Sequence, residues 1–200
     1  GVPVPEGELV DDVAQAWDAA ESVGLPVVVK PVDGNHGRGV FTCLDSRDEI
    51  EAAWQVAAQE GSGVIIERFV PGNEHRLLVV GNRVVAAARG EAAGVVGDGH
   101  STVLELIESQ LNTDPRRGRT ENHPLNPVGI DSPARLELSR QGLTPDSVPA
   151  AGREVLIQRN GNVAFDVTDR VHPEVARVAA LAARVIGLDI AGIDLVATDI

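Results

Sequence analysis

The 200-residue sequence has no methionine and no tyrosine, a single cysteine, three phenylalanines and two tryptophans. A core without large aromatics must come from Val, Leu, Ile and Ala, and apolar residues make up 43% of the chain. That palette suits strands buried on both sides and alanine-rich helices. One cysteine leaves no internal disulfide, and with five histidines it offers no zinc cluster. Cys43, in a β-rich run, is expected to be a small buried apolar residue, which suits a reducing cytoplasm. No apolar run approaches the roughly 20 residues of a membrane span, and no signal-peptide pattern opens these residues. Positive charge is scarce, 17 Lys and Arg against 30 Asp and Glu, for a net charge of −13. A basic surface for nucleic acid is therefore not expected. Neither internal repeats nor low-complexity linkers occur.

The stretch Val27–Val40, VVVKPVDGNHGRGV, organises the rest. An apolar run ends in Lys30 and Pro31, a glycine-rich segment follows, and a second β-rich run covers Val40–Leu44. This reads as strand, loop, strand. Glycines let backbone N–H groups crowd an anion with no Cβ in the way, and such amides form a phosphate nest. Arg38 and His36 add side-chain donors. The segment fits a lid over a nucleotide triphosphate; it also fits a mobile hairpin loop with incidental charges. A Walker loop is excluded, because its lysine follows the glycines and opens a helix, and no G-x-G-x-x-G opens a helix after a strand.

The rest alternates helix and strand. Val2–Glu6 is Pro-bracketed and extended. Asp11 or Asp12 caps a helix to about Val23, with Val13, Ala16, Trp17 and Ala20 on one stripe. Ser46 and Glu49 form a capping box for a helix to about Gln59. Val64–Phe69 is a strand, Pro71-Gly72 a turn, and Arg76–Val80 with Arg83–Ala88 a hairpin around Gly81-Asn82. Thr102 and Glu105 form a second capping box, for a helix to about Leu111. Residues 112–131 lack periodicity and contain DPRRG; loops this long are usually functional or disordered. A short helix near Pro133–Gln141 follows. Val155–Arg159 is a strand, Asn160-Gly161-Asn162 a turn, and Val163–Asp166 pairs back. Pro173 starts a helix through Ile186, Gly187 stops it, and Ile190–Ala197 is the last strand. The class is α+β or α/β.

Three charged residues sit where charge is costly: Lys30 after Val27–Val29, Glu67 within VIIERF, and Asp194 within Ile190–Val196. A buried charge needs a partner; strand alternation could instead turn each to water, a reading that Asp194, apolar on both parities, favours least. Arg76 and Arg89 are the better candidates for a shared anion, since Arg83 adjoins the turn. Arginine forks clamp phosphoryl groups, although surface positions suit them equally well.

VVVKPVDGNHGRGV, VIIERFVPGNEHRLLVV, VVGDGHSTVLELI, NTDPRRG, DVTDRVHP and GLDIAGIDLV together resemble, in order and spacing, the ATP-grasp region of the cyanophycin synthetase family. KPxDGNHGRG and DPRRG are the specific segments; the compact RNGNVAFD departs from the family's longer stretch there, so no substrate contact is assigned to it. The resemblance implies a two-lobed ATP-grasp fold with two mixed or antiparallel sheets and flanking helices, a lid-bearing lobe at about 24–70 and a larger lobe at about 71–200. It implies a carboxylate–amine ligase that uses ATP and Mg2+. The C-terminal carboxylate of a growing cyanophycin primer (poly-Asp-Arg) becomes an acyl phosphate, and the amine of L-aspartate attacks it. Arginine is added by a Mur-ligase-like domain outside these residues, and the enzyme is expected to be a cytoplasmic homo-oligomer.

In that scheme Lys30 binds ATP phosphate, and Asn35, His36, Gly37, Arg38 and Gly39 close over the β- and γ-phosphates. Glu67, Arg68 and Phe69 meet adenine at the interlobe hinge, Glu74 takes the ribose, Arg76 and Arg89 hold the transferring phosphate, and Asp194 is a magnesium ligand. All converge on a triphosphate held between two sheets. The sequence reads as an excised piece lacking further magnesium ligands, so these residues alone are expected to bind nucleotide weakly and turn over little. Arg116, Arg117 and Arg119 could hold aspartates or form a solvated charge run. Other ATP-grasp ligases, of the ribosomal-modification or glutathione-synthetase type, and a non-catalytic nucleotide-binding module are the alternatives.

Overall fold

The computed structural model describes residues 1–34, 37–120 and 122–200. It divides into two compact units, Pro3–Val70, and Pro71–Ile200 with Gly1–Val2. Asn35 and His36, two of the expected phosphate ligands, lie outside the described residues.

The smaller unit runs β1 (Gly7–Val10), α1 (Val13–Val23), β2 (Val27–Pro31), β3 (Phe41–Leu44), α2 (Arg47–Ala57) and β4 (Val64–Arg68). Its sheet has the order β1-β4-β2-β3, antiparallel throughout. Val27, Val29 and Pro31 of β2 and Val64 and Ile66 of β4 are buried, whereas Val28, Lys30, Ile65 and Glu67 are half-buried on the other face. Helices cover the first face through Ala16, Ala20 and Val23 of α1 and Ile50, Ala53 and Ala57 of α2. Asp12 caps α1 by accepting from Ala14 N–H, and Ser46 caps α2 by accepting from Glu49 N–H. The indole N–H of Trp54 donates to the Val10 carbonyl at 3.1 Å, tying α2 to β1.

The larger unit runs β5 (Asn73–Val80), β6 (Arg83–Val96), α3 (Val103–Leu106), which continues as a π-helical turn Ile107–Leu111, α4 (Ser132–Arg140), β7 (Glu154–Asp166), a 3-10 turn Thr168–Arg170, α5 (Pro173–Ile186) and β8 (Ile190–Ala197). Its antiparallel sheet has the order β7-β6-β5-β8. One core lies where α3, the π turn and α4 pack on β6 and β7, around Ala93, Leu106, Ile107, Leu138 and Ile157. The other lies under α5, around Leu77, Val79, Ala87, Ala179 and Ala183. The opposite face of β5 and β8 stays open, with Leu78, Val80, Ile190 and Val196 exposed.

Several expectations need correction. The strands are antiparallel with one covered face, so the Val/Ile/Ala palette reflects small helix-facing residues and not burial on both sides. β1 went unforeseen; it begins at Gly7, past the segment expected to be extended. Val163–Asp166 does not pair back on the preceding strand: β7 runs through, and both halves pair with β6. Its register jumps from Val163 to Gln158 while β6 advances only from Glu91 to Ala93, which absorbs the intervening residues as a bulge. Cys43 is only half-buried and has a positive φ of 57°.

Ile66 is fully buried on the helix-covered face of β4. Ile66→Ala is expected to cost about 2–5 kcal/mol, read as a lower urea midpoint with an unchanged slope.

Candidate functional site

In the smaller unit, strand alternation turns Lys30 and Glu67 away from the helices. Val28 is the direct cross-strand partner of Glu67, so Lys30 reaches it diagonally. The Lys30 ammonium lies 2.7 Å from the Glu67 carboxylate, with side-chain exposures of 35% and 17%. Lys30 is the sequence's one lysine. Gly7 faces Glu67 from β1, and a Cβ there would come within 2.7 Å of Glu67 Cγ. Glycine at this position leaves Glu67 room beside Lys30, a requirement that sequence reading missed because β1 itself was missed.

The glycine-rich loop leaves β2 through an anchored turn. Asp33 accepts from Ser62 N–H at 2.7 Å, and that bond holds its pKa below the ordinary value. Val32 N–H donates to the Gly63 carbonyl. Gly37 and Gly39 have φ of 71° and 67°, a region that favours glycine. Gly39 sits against Ala57 and Glu60 of the α2 end, and Arg38 lies 3.8 Å from Glu60.

Arg68 does not join Glu67. It falls on the helix-covered parity of β4, opposite Val27. Its guanidinium donates twice to the Val23 carbonyl, at 2.6 and 2.9 Å, and lies 3.2 Å from Glu6. That geometry caps the C-terminal end of α1, on the face of β4 opposite Glu67. Phe69 N–H donates to the Pro26 carbonyl, so its backbone continues the sheet.

In the larger unit, Arg76 and Asp194 are direct cross-strand partners on the open face. The pair is bidentate: Arg76 Nε and Nη2 donate to the two Asp194 oxygens, each at 2.7 Å. Glu74 shares their face by strand parity. Asp194 was expected to be buried because its neighbours are apolar on both parities; its side chain is 66% exposed, since no helix covers this side. The carboxylate chiefly raises the Arg76 pKa.

Arg89 does not share that face. It stands opposite His75 on the covered side, while Ala88 stands opposite Arg76. Arg76 and Arg89 therefore do not meet a common anion on this sheet. Arg89 pairs with Glu91 and lies over the Phe165 ring, 6.0 Å from its centre. His75 is 3% exposed, and burial is the main cause of its lowered pKa.

The aperiodic segment 112–131 is tied down. Asp114 accepts from Arg116 N–H and from its guanidinium, which also donates to the Ala164 carbonyl. Arg117 is buried and donates to the Asn126 carbonyl. Thus two of the three arginines considered for substrate binding hold the loop's own fold.

Among the described residues no three His, Cys, Asp or Glu side chains gather as a metal cage. Mg2+ is commonly held by one or two carboxylates plus phosphates and water. Asp194 fits such a partial role, and the Lys30–Glu67 pair beside the glycine-rich loop fits a phosphate-bearing ligand. No helix among the described residues is long and apolar enough to cross a membrane.

Comparison with known proteins agrees with the strand pattern. Residues 1–90 match the ATP-grasp domain family. The chain is 43% identical to cyanophycin synthetase of Nostoc sp. over 206 aligned positions, covering all of the chain and 23% of that protein. It therefore spans about a quarter of the curated relative's length. Among solved structures, a bifunctional glutathione synthetase from Pasteurella multocida is 29% identical, matches 98% of the chain and 27% of its own, and gives a TM-score of 0.51. D-alanine–D-alanine ligase from Bacillus anthracis, 13% identical, matches 98% of the chain and 47% of its own with a TM-score of 0.55, a likeness of fold alone.

The Arg116 side chain, then its backbone N–H, hold the Asp114 carboxyl down at about 2, against an ordinary 3.8. A depressed carboxylate stabilises fully above its unfolded value, and that contribution is lost as pH falls through the folded value. Asp114→Asn is expected to melt below the parent protein at pH 6. The gap should close between about pH 4 and 2; a gap independent of pH would remove the assigned role.

Proposed function

We propose that this chain, whose residues 1–90 match the ATP-grasp domain family and whose whole length aligns with part of a cyanophycin synthetase, serves the aspartate-adding step of a carboxylate–amine ligase. The match over the whole of this chain at 43% identity carries this reading. ATP would convert the C-terminal carboxylate of a poly-Asp-Arg primer into an acyl phosphate. The α-amine of L-aspartate would attack that carbonyl, forming the amide, releasing phosphate and giving up its proton. A Mur-ligase-like domain elsewhere in the parent protein would add arginine. The parent is proposed to be a cytoplasmic homo-oligomer.

The residues divide by unit. Lys30 would meet phosphate oxygens, its charge shared with Glu67, and Gly37, Arg38 and Gly39, with Asn35 and His36, would close over the phosphates. Glu67 and Phe69 would meet adenine. On the second sheet Glu74 would take the ribose, Arg76 would neutralise charge on the phosphate, and Asp194 would offer an oxygen to Mg2+. Bound Mg2+ would supply charge neutralisation between phosphate oxygens. Arg68 and Arg89 are given no part, since one holds α1 and the other lies on the covered face. Catalysis of this kind rests on positioning and electrostatics, with no nucleophilic side chain.

The likeness to a glutathione synthetase at 29% identity favours a second reading, a ligase of that type. Acceptors separate the two. In the intact parent protein with a poly-Asp-Arg primer, ADP release is expected to depend on L-aspartate and not on glycine, glutamate or cysteine. Lys30→Ala should abolish the Mg-ATP thermal shift and lower turnover roughly a hundredfold. Unchanged polymer synthesis in that variant would refute the nucleotide role of Lys30.

A further inference from the structure

Among the described residues the buried polar or charged side chains are His75, Arg117 and Glu137. Glu137 accepts from Arg140 Nη1 at 2.8 Å and from Arg159 Nε at 2.7 Å, and Arg117 donates to the Asn126 carbonyl. His75, on the covered face of β5, has no hydrogen-bond partner for its Nδ1 among the described residues. Its direct partner on β6 is Arg89, and on β8 it is Leu195. Such cross-strand partners hold their Cβ atoms about 5 Å apart. Arg89 gives its Nη2 to Glu91, while its Nε is buried with no hydrogen-bond partner among the described residues.

The other charge acting on His75 is Asp199, just past β8. The next residue, Ile200, is buried in the core under α5, and its N–H donates to the Asp199 carboxylate at 3.0 Å. α5 turns Val175, Ala179 and Ala183 to that core. Its charged residues Glu174, Arg177 and Arg184 are exposed, as are Asp169 and Arg170 of the 3-10 turn. The start of β5 is pressed against the end of β8: a Cβ on Gly72 would lie 2.5 Å from the Ala197 carbonyl carbon. A neutral ring suits this place. Burial first, then Arg89, disfavour the charged ring; the Asn73 backbone and Asp199 favour it, and the balance lies below the ordinary 6.5. A proton on the ring sets two cations directly opposite each other on a covered face, where like charges repel.

We propose that His75 is a proton-operated switch on β5. Neutral, it packs the start of β5 between β6 and the end of β8. Protonated, it is driven away from Arg89 and loosens the β5–β8 pairing, which holds Arg76 opposite Asp194 on the other face. The switch is built on the covered face and does not depend on what the open face binds. A histidine whose folded value is depressed favours the folded state fully above the unfolded value, about 6.5, and that advantage is lost as pH falls from there toward the folded value.

The test combines thermal melting of the protein and of His75→Leu from pH 8 to pH 5, NMR titration of the His75 ring, and amide exchange of residues 190–200. Over that range the parent protein should lose about 2–4 °C more than His75→Leu. Arg89→Gln should shrink the parent's acid loss and Asp199→Asn should enlarge it, since they remove opposite influences on the ring. The ring should titrate below 6.5, and at pH 5.5 residues 190–200 should exchange faster in the parent than in His75→Leu. A ring midpoint at or above 6.5, read without any substitution, would overturn the proposal. So would equal acid loss in the parent and His75→Leu, or equal exchange in the two at pH 5.5.

Discussion

Each sheet is covered by helices on one side only, and that asymmetry underlies the rest of the structure. In an antiparallel strand, alternate side chains go to opposite faces. Covering one face fixes which residues must be apolar and leaves the other face for charge. In β2 and β4 the covered positions are Val27, Val29, Val64 and Ile66, so Lys30 and Glu67 emerge together on the far side. In β5 the covered positions are His75, Leu77 and Val79, so Glu74 and Arg76 emerge opposite Asp194. A one-residue slip in either register would exchange these sets.

Charge on the open faces is arranged in pairs of opposite sign. Lys30–Glu67 is partly shielded, which strengthens it relative to a fully exposed pair. Arg76–Asp194 is more exposed, but its bidentate geometry holds both side chains in one orientation. Such pairs contribute little stability at a surface. Their value here is orientation: a cation held by a carboxylate keeps its remaining donors aimed at one place. Arg68 and Arg89 show the contrast. Each occupies the covered parity of its strand and is used where it sits, one on the end of α1, the other beside Glu91 and Phe165.

Much of the fold was legible from local chemistry. Asp12, Ser46, Thr102 with Glu105, Pro173 and Gly187 mark helix ends through hydrogen bonds and φ preferences within one turn. Gly81-Asn82 marks the hairpin for the same reason. Where the outcome depended on a distant strand, local signals failed. β1 has only four residues, three of them exposed, and exists because β4 supplies its partner. β7 looks like a hairpin until β6 pairs with both of its halves. The long 112–131 segment shows no pattern because its ties are single and non-repeating: side-chain bonds through Asn112, Asp114 and Arg117, and an isolated backbone bridge between Arg117 and Leu125.

The sequence by itself determined the elements, the glycine-rich loop after Lys30 and the inventory of charges, because caps, turns and alternation act over a few residues. Only the tertiary structure decided which charges meet. Arg76 and Arg89 look equivalent along the chain, yet the β5–β6 register sends them to opposite faces. Asp194 has apolar neighbours on both parities, yet α5 covers the other side of β8 and leaves it exposed. Lys30 and Glu67, 37 residues apart, become partners through strand pairing that no local pattern encodes. Facing and partnership are properties of register and helix placement, and those are fixed by packing across the whole unit.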